Sequence, residues 1–209
     1  MLSAPVGTLL ALLDKHYPQA TTSLDHRTPF QLLVATILSA QCTDKLVNQV
    51  TPGLFQTYPT MQAFADADLE ELRQAINKIT FYNNKATFIK NSSRILLEKF
   101  HGNVPQTLDE LITLPGVARK TANVVLFSGF GITAGVVVDT HVKRVSFRLG
   151  LTKETDPVKV ERDLMELLPK EHWGKFSHQI IDHGRVLCKA PTPRCGECFL
   201  QGICPRKGC

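Results

Sequence analysis

One short segment of the chain combines a tight turn with a primary amine. The segment Leu114-Pro115-Gly116-Val117-Ala118-Arg119-Lys120 joins two stretches of helical periodicity, and a carboxylate, Asp139, follows nineteen positions after the lysine. Glycine has no Cβ, so another backbone can approach the turn closely. The first N–H groups of the second helix are unpaired and carry partial positive charge, which suits a phosphate. The segment predicts a phosphate-binding turn beside an amine, although a plain packing corner between two helices has the same turn.

The amine and the carboxylate suggest nucleophilic chemistry. An amine attacks carbon only when neutral, and about one ordinary lysine in a thousand is neutral at pH ~7.4. A neighbouring cation, a helix N-terminus and exclusion of water all favour the neutral form, and Arg119 and the turn amides supply the first two beside Lys120. Asp139 can stabilise positive charge or move a proton. The ordinary alternatives are an exposed phosphate contact for Lys120 and an N-cap for Asp139, which can be both cap and catalyst.

The elements that must position these residues are helical almost throughout. Thr28-Pro29 and Asp156-Pro157 are typical of a capped helix start with proline in the first turn, and Asp68 predicts another cap. Thr107 and Glu110 have the spacing of a capping box. The sequence therefore predicts an all-α fold of about ten short helices.

Glycines and asparagines indicate where other helices begin and end. The helix that carries Lys120 is predicted from about Ala118 to Ser128, with Gly129 and Gly131 ending it. Another helix is predicted to open at Asn83-Asn84. The run at residues 135–138 has the composition of a strand but no alternating partner, so we expect a buried connector there.

Composition limits the class of protein. Of 209 residues, 43% are hydrophobic, enough for a packed core. The net charge of +5 is uneven, with +1 over residues 1–138 and +4 over residues 139–209, which is compatible with a polyanionic partner. No apolar run approaches ~18 residues, and no basic region or cleavage site accompanies the apolar start. We expect an intracellular protein with no membrane segment.

Cysteines are concentrated at the C-terminal end. Five of the six fall in the last 22 residues, and in an intracellular chain such crowding points to a metal. The spacing Cys188-x₆-Cys195-x₂-Cys198-x₅-Cys204 suits an iron–sulfur cluster or zinc, and spacing alone leaves both open. Cys42 and Cys209 are not needed as ligands, and Cys209 is expected to be a free thiol.

Several motifs together indicate a family. LPGVARKTANVV, with VDTHVKRV after it, resembles the helix-hairpin-helix DNA glycosylases, and most of all the endonuclease III family. Ser39-Ala40-Gln41 with Thr43-Asp44 matches that family's LSAQ-x-TD segment, and residues 82–86 match its YNxKA segment. The resemblance extends from Pro29 to Cys204.

The resemblance implies two interlocked helical domains with a DNA cleft between them. A six-helix barrel domain is expected at residues 22–132, with the helix-hairpin-helix at about 107–128. A [4Fe–4S] cluster domain is expected from residues 1–21 and 133–209, with four cysteine ligands and a structural role. The ligands are Cys188, Cys195, Cys198 and Cys204.

The resemblance also implies a bifunctional DNA glycosylase and AP lyase of base excision repair. Lys120 would attack the sugar C1′, Asp139 would assist departure of the base, and the Schiff base would permit β-elimination. The expected partner is double-stranded DNA with an oxidised pyrimidine or an abasic site. A monomer in the cytoplasm, associated with the nucleoid when bound to DNA, is expected.

Chemistry at C1′ requires the nucleotide to leave the duplex, so other side chains must fill the gap. The resemblance assigns Gln41 to the vacated stack and Phe81, where the family has leucine, to a wedge on the opposite strand. A core position is the alternative for Phe81. Asp44 and His141 match positions that line the lesion pocket in the family. The alternatives are a surface carboxylate for Asp44 and a structural histidine for His141. Phosphate contacts are expected from Leu114, Gly116, Val117, Ala118, Arg119, Lys189 and Arg194, although the last two also fit a solvated surface.

Two departures from the family pattern lie around the hairpin. Ala118 replaces a glycine, which would cost ~1–2 kcal/mol at positive φ, and we expect a helical φ that tolerates alanine. Ile112 replaces a common glutamate and suggests an altered polar network behind the turn.

Two other functions remain as alternatives. One is a monofunctional, adenine-excising glycosylase of the same superfamily, which carries glutamate at the position of Thr36, lacks the lysine and has an extra C-terminal domain. The other is a non-catalytic helix-hairpin-helix DNA-binding protein. The presence of both Lys120 and Asp139 argues against the second.

Overall fold

The computed structural model describes residues 6–209, so the first five residues of the predicted cluster domain lie outside it. The described residues form α-helices joined by loops and two 3-10 turns, with no strand among them, which confirms the all-α prediction. None of these helices is both long and apolar enough to cross a membrane. The helices are α1 (Val6–His16), α2 (Pro29–Ser39), α3 (Asp44–Thr57), α4 (Met61–Asp66), α5 (Leu69–Ala75), α6 (Tyr82–Phe100), α7 (Leu108–Leu111), α8 (Arg119–Phe130), α9 (Thr140–Arg148), α10 (Pro157–Leu167) and α11 (Trp173–Val186).

Local capping sets several helix starts. Thr28 accepts a hydrogen bond from the Gln31 N–H at 3.2 Å, with Pro29 in the first turn. Asp68 and Asp156 accept from first-turn N–H groups at 2.8 and 3.1 Å. These three predicted caps are confirmed, and each satisfies donors that the helix leaves unpaired.

The chain divides into two compact units, each described by itself below. Ser23–Ile132 forms the first unit, called the hairpin unit, which contains α2 to α8. The segment before Ser23 joins Thr133–Cys209 in the second, called the cysteine unit, which contains α1 and α9 to α11.

In the hairpin unit, α2 packs against α3, α6 and α8, while α4 and α5 pack against α6. All residues of α2 from Leu32 to Leu38 are buried, including Thr36. Phe64 of α4 is fully buried in contact with three other aromatic rings. This core supports α6 and α8, which border the predicted site.

Helix α8 runs two residues further than predicted. Gly129 lies inside it, against Pro29 and Leu32 at the start of α2, so the prediction that Gly129 ends the helix is wrong. Gly131, at φ +71, is the residue whose left-handed backbone ends α8. The start of α6 also differs, because Tyr82 opens it without a side-chain cap.

In the cysteine unit, α11 packs against α1 and α9 around a core that includes Leu13, Val145, Leu164 and Phe176. Residues 135–138 form a connector, not a strand, as predicted. Val136 and Val137 are buried, and the Val137 N–H donates to Ser177 Oγ at 2.9 Å. The connector leads directly to Asp139.

Candidate active site and cysteine cavity

A tight turn forms the hairpin between α7 and α8. The Val117 N–H donates to the Leu114 carbonyl at 3.1 Å, and Gly116 has φ +77. A Cβ on Gly116 would lie 2.8 Å from Phe88 Cδ2 and 3.0 Å from Phe88 Cβ. Glycine is therefore required twice, by its backbone angle and by the close approach of α6.

Helix α6 also holds the hairpin through a hydrogen bond. Ser92, which is buried, donates from Oγ to the Pro115 carbonyl at 2.9 Å. Phe88 and Ser92 lie one turn apart, so one face of α6 contacts both central residues of the turn. The hairpin is thus fixed by packing and not only by its own turn.

Lys120 is the second residue of α8, and its side chain is exposed. Ala118 is the N-cap, with φ −88 and ψ 170 and no side-chain hydrogen bond. The expectation of a helical φ at Ala118 is wrong, because the residue is extended, and alanine carries no left-handed strain there. Since alanine has no oxygen to cap the helix, the first turn of α8 keeps its attraction for an external anion.

Side chains near the hairpin separate into buried and exposed groups. Leu114 and Val117 are buried, so only their backbone can face a ligand. Ile112 is 46% exposed, an apolar side chain near the hairpin.

Gln41 and Phe81 are both exposed and both have left-handed backbone, with φ 53 and φ 57. Left-handed conformation is uncommon for residues other than glycine and marks positions held by their surroundings. Phe81 is 59% exposed, so the alternative of a core position is wrong. Both side chains therefore face solvent from a fixed backbone.

Asp44 and Thr36 are more constrained. Asp44 opens α3, and its carboxylate accepts from Ser23 Oγ at 2.5 Å. Thr36 is buried in α2 and donates to the Leu32 carbonyl at 2.7 Å. The hydroxyl of Thr36 is therefore used inside its own helix.

Asp139 caps α9 in the cysteine unit by accepting from the Val142 N–H at 2.8 Å. His141 follows and packs on Gly184, where a Cβ would lie 2.9 Å from its Nδ1. Burial lowers the pKa of His141. The negative charge of Asp139 raises this pKa, and the positive charge of Arg144 lowers it further. At neutral pH His141 is thus an uncharged ring that can donate or accept a hydrogen bond.

Two arginines of α9 bind the segment that leads into the cysteines. Arg144 donates to the carbonyls of Gly184 and Cys188, both at 3.0 Å. Arg148 is 6% exposed and donates to the carbonyls of Lys189 and Ala190 at 2.7 and 2.9 Å. The helix capped by Asp139 thereby also fixes the start of the cysteine segment.

The four spaced cysteines line one cavity, together with Cys209 and Arg148. Across residues 6–209, no three histidine, cysteine or carboxylate side chains converge closely enough for one metal ion. A single zinc ion would draw four thiolates to ~2.3 Å from one point, whereas a four-iron cluster is larger and keeps them apart. Four thiols that line one cavity form a donor set that fits an iron–sulfur cluster.

Polar groups around this cavity point at its sulfur atoms. Arg148 donates to Cys188 Sγ at 3.5 Å, and the Arg206 N–H donates to Cys204 Sγ at 3.4 Å. Burial raises the pKa of the Cys198 and Cys204 thiols, so a cationic metal group would be needed to hold them as thiolates. The Arg148 guanidinium and the Arg206 N–H would stabilise negative charge on sulfur atoms that bind a metal group.

His183 also contacts a cysteine sulfur. Its Nε2 lies 3.6 Å from Cys198 Sγ, and its Nδ1 lies 3.3 Å from the Tyr17 hydroxyl. Burial lowers the pKa of His183 to about 4, so the ring is neutral at physiological pH.

The two basic residues predicted to contact phosphate from this loop differ in their surroundings. Lys189 is exposed. The Arg194 guanidinium forms an ion pair with Glu197, which offsets much of its charge. Lys189 is therefore the stronger of the two candidates for a phosphate contact.

Comparison with known proteins identifies the family. The family model described as HhH-GPD superfamily base excision DNA repair protein matches residues 34–170. The endonuclease III of Synechocystis sp. is 59% identical over 197 residues, which cover 94% of this chain and 90% of the relative. The chain belongs to the endonuclease III family. The endonuclease III of Bacillus subtilis is 50% identical over 90% of this chain and 86% of its own length.

A solved structure described as a trapped endonuclease III–DNA covalent intermediate, an estranged-adenine complex, has the same fold. It superposes with a TM-score of 0.89 at 46% identity, covering 96% of this chain and 94% of that one. That relative therefore forms a covalent intermediate with DNA.

Two buried cations in this endonuclease III family member were not singled out by sequence reasoning. Lys85 lies in the YNxKA segment, and Arg148 lies beyond the VDTHVKRV segment. Both donate mainly to backbone carbonyls far along the chain, which no motif reveals. The one available signal was a cation placed on an otherwise apolar helix face.

Proposed function

We propose that the protein is a bifunctional DNA glycosylase and AP lyase that removes oxidised pyrimidines from duplex DNA and also cleaves at abasic sites. Membership of the endonuclease III family supports this activity, as does the covalent DNA intermediate of the solved relative. The observation that carries the proposal is Lys120, exposed in the first turn of α8 directly after the hairpin.

The proposed chemistry begins at C1′ of the damaged nucleotide. The neutral amine of Lys120 forms a bond to C1′, and the bond from C1′ to the base breaks, with its electron pair and a proton going to the base. Opening of the sugar ring gives a Schiff base between C1′ and the lysine nitrogen. Loss of a C2′ proton then expels the 3′ phosphate and cleaves the strand.

Asp139 assists the first step. Its carboxylate stabilises positive charge that develops on the sugar and can take part in proton transfer. Its role as cap of α9 uses one carboxylate oxygen, Oδ1, at Val142. Capping therefore fixes the position of the carboxylate, which remains able to act in the reaction.

Gln41 and Phe81 fill the space left by the extruded nucleotide, on the two strands. Their exposure and fixed backbone suit side chains that enter a base stack, where an aromatic ring can stack on the orphaned base. We assign Asp44 and His141 to recognition of the extruded base by hydrogen bonds.

The hairpin amides and Lys189 bind phosphates around the lesion, which positions the protein without reading sequence. Cys188, Cys195, Cys198 and Cys204 would hold a [4Fe–4S] cluster that supplies a structural anchor for this loop and no redox step in the reaction. The cavity that all four thiols line, and the N–H donors aimed at their sulfurs, support this assignment. We propose a monomer acting on the nucleoid.

Borohydride trapping tests the proposal on duplex DNA with one oxidised pyrimidine. The native protein is expected to give a covalent adduct and a cleaved strand, and Lys120→Ala is expected to give neither. Lys99→Ala, which removes an exposed lysine of the last turn of α6, is the matched control and should trap normally.

The other outcomes separate the alternative functions. Base release without an adduct would support a monofunctional glycosylase, although the buried Thr36 offers no carboxyl group at the position where the adenine-excising branch has one. DNA binding without base release or adduct would support a non-catalytic clamp.

A further inference from the structure

Lys85 is a buried cation in the hairpin unit. Its side chain is on the first turn of α6, and the residue is only 4% exposed. Its Nζ donates to the Leu38 carbonyl at 2.8 Å and to the Ala40 carbonyl at 2.6 Å. Lysine is seldom buried to this extent without a specific partner, so these two contacts explain its position.

The two carbonyls belong to the C-terminal end of α2. The last carbonyls of a helix lack partners within the helix and carry partial negative charge, so an ammonium group stabilises them. Gln41 follows Ala40 directly and is held exposed at φ 53. The Lys85 ammonium therefore fixes the backbone from which Gln41 projects.

Phe81, the other exposed residue, is the N-cap of α6, with φ 57. The Lys85 N–H donates to the Phe81 carbonyl at 3.2 Å, the regular hydrogen bond of the first helical turn, so Phe81 lies one turn before Lys85. The side chain of Lys85 therefore joins the end of α2, from which Gln41 projects, to the turn of α6 that follows Phe81.

The same face of α6 reaches the hairpin. Lys85, Phe88 and Ser92 are spaced as neighbours on one helix face, and the last two contact Gly116 and the Pro115 carbonyl. Gln41, Phe81 and the hairpin are therefore positioned from a single rigid element.

We infer that Lys85 is a positioning residue for nucleotide extrusion, which sets Gln41 and Phe81 at the spacing that a vacated base stack requires. The inference rests on the proposed function, because it gives a purpose to the filling side chains. Lys85 is buried, so it acts through the backbone that it contacts. Its removal should impair steps that need the gap to be held open and spare chemistry on a nucleotide that is already unstacked.

Lys85→Met tests this, because methionine has similar length and no donor. The control is Lys90→Met, which removes a lysine of the same helix that donates to the Ala67 carbonyl instead. A 2-aminopurine placed beside the oxidised pyrimidine reports unstacking by fluorescence, and borohydride trapping on single-stranded abasic DNA reports the lysine chemistry alone. Urea denaturation of each variant measures folding.

Lys85→Met is expected to abolish the fluorescence rise and to lower single-turnover base release on duplex DNA about 100-fold, the size of effect produced by ~1 Å misplacement. Trapping on single-stranded abasic DNA should stay within about 3-fold of native, on the same principle. Equal losses on both substrates, or the same pattern in Lys90→Met, would overturn the inference. Failure of the native protein to trap either substrate would instead refute the proposed function.

A second variant covers the case in which Lys85→Met does not fold. Lys85→Arg keeps the cation and its donors but replaces the compact ammonium group with a larger, planar guanidinium. It is expected to lower the ratio of duplex to single-strand activity at least several-fold, and an unchanged ratio would overturn the inference.

Discussion

Gly116→Ala should destabilise the hairpin by two separable effects. The first is conformational, because Gly116 has φ +77 and alanine in left-handed backbone costs about 1–2 kcal/mol. The second is steric, because the new Cβ would lie 2.8 Å from Phe88 Cδ2 and 3.0 Å from Phe88 Cβ. Rotation of the Phe88 ring relieves only the first of these contacts, so α6 and the turn must separate.

The expected loss in the free energy of unfolding is about 2–5 kcal/mol, the sum of the conformational cost and an overpacking cost of about 1–3 kcal/mol. Gly131→Ala is the matched control. Gly131 has φ +71, but a Cβ there would meet nothing within 4 Å. It should therefore lose only the conformational part, about 1–2 kcal/mol.

The two effects can be measured by urea denaturation followed by circular dichroism, with equal m-values required for comparison. In a double-mutant cycle, Phe88→Ala should rescue the steric part of Gly116→Ala, with a coupling energy of about 1–3 kcal/mol. If Gly116→Ala costs no more than Gly131→Ala, or if Phe88→Ala gives no rescue, the reasoning about close approach is wrong.

Three further perturbations test the cysteine unit. Asp139→Asn should leave the free energy of unfolding unchanged, because asparagine caps a helix as well as aspartate does. It should lower the rate of base release by about 10²-fold or more. Native activity in Asp139→Asn would show that the carboxylate takes no part in the reaction. Arg148→Met should leave the carbonyls of Lys189 and Ala190 unpaired, at a cost of about 1–3 kcal/mol each in the free energy of unfolding, and should lower the iron bound per chain. The control Arg162→Met, at an exposed arginine, should change neither quantity. Equal iron in the two variants would contradict the role of Arg148. Burial lowers the pKa of His178 to about 4, so between about pH 6.5 and 4 the unfolded chain binds a proton that the folded protein does not. The free energy of unfolding should therefore decrease by up to about 3 kcal/mol as the pH is lowered across that window. Urea denaturation at pH 7 and pH 5 should show a smaller fall for His178→Gln, and an identical fall would refute the assignment.

Helix starts were predictable where a side chain signals them locally. Thr28, Asp68 and Asp156 each cap a helix through contacts to residues two or three positions later, so the pattern contains the whole interaction. Phe81 shows the limit. It is the N-cap of α6 and has a left-handed backbone without a side-chain cap, which no local propensity favours.

Tertiary contacts account for the misjudged positions. Gly129 looks like a helix end in sequence, but it lies within α8 where α2 packs closely. Ala118 is extended and not helical, because α8 begins one residue later than the motif suggests.

The candidate site was predictable where motif residues carry the chemistry, as at Lys120, Asp139 and the four cysteines, and their roles stay predictions. The supporting cations were not. Lys85 contacts carbonyls 45 and 47 residues away, and Arg148 contacts carbonyls 41 and 42 residues away. Every residue carries the same backbone carbonyl, whatever its side chain. A carbonyl partner therefore leaves no signature in the sequence.

The position of the covalent bond tests the central proposal most directly. The native protein, reduced with borohydride on abasic DNA, can be digested with nuclease and protease and its peptides sequenced by tandem mass spectrometry. The sugar remnant should be found on Lys120 alone. A remnant on another lysine or on the N-terminal amine, or a native protein with no remnant at all, would contradict Lys120 as the nucleophile.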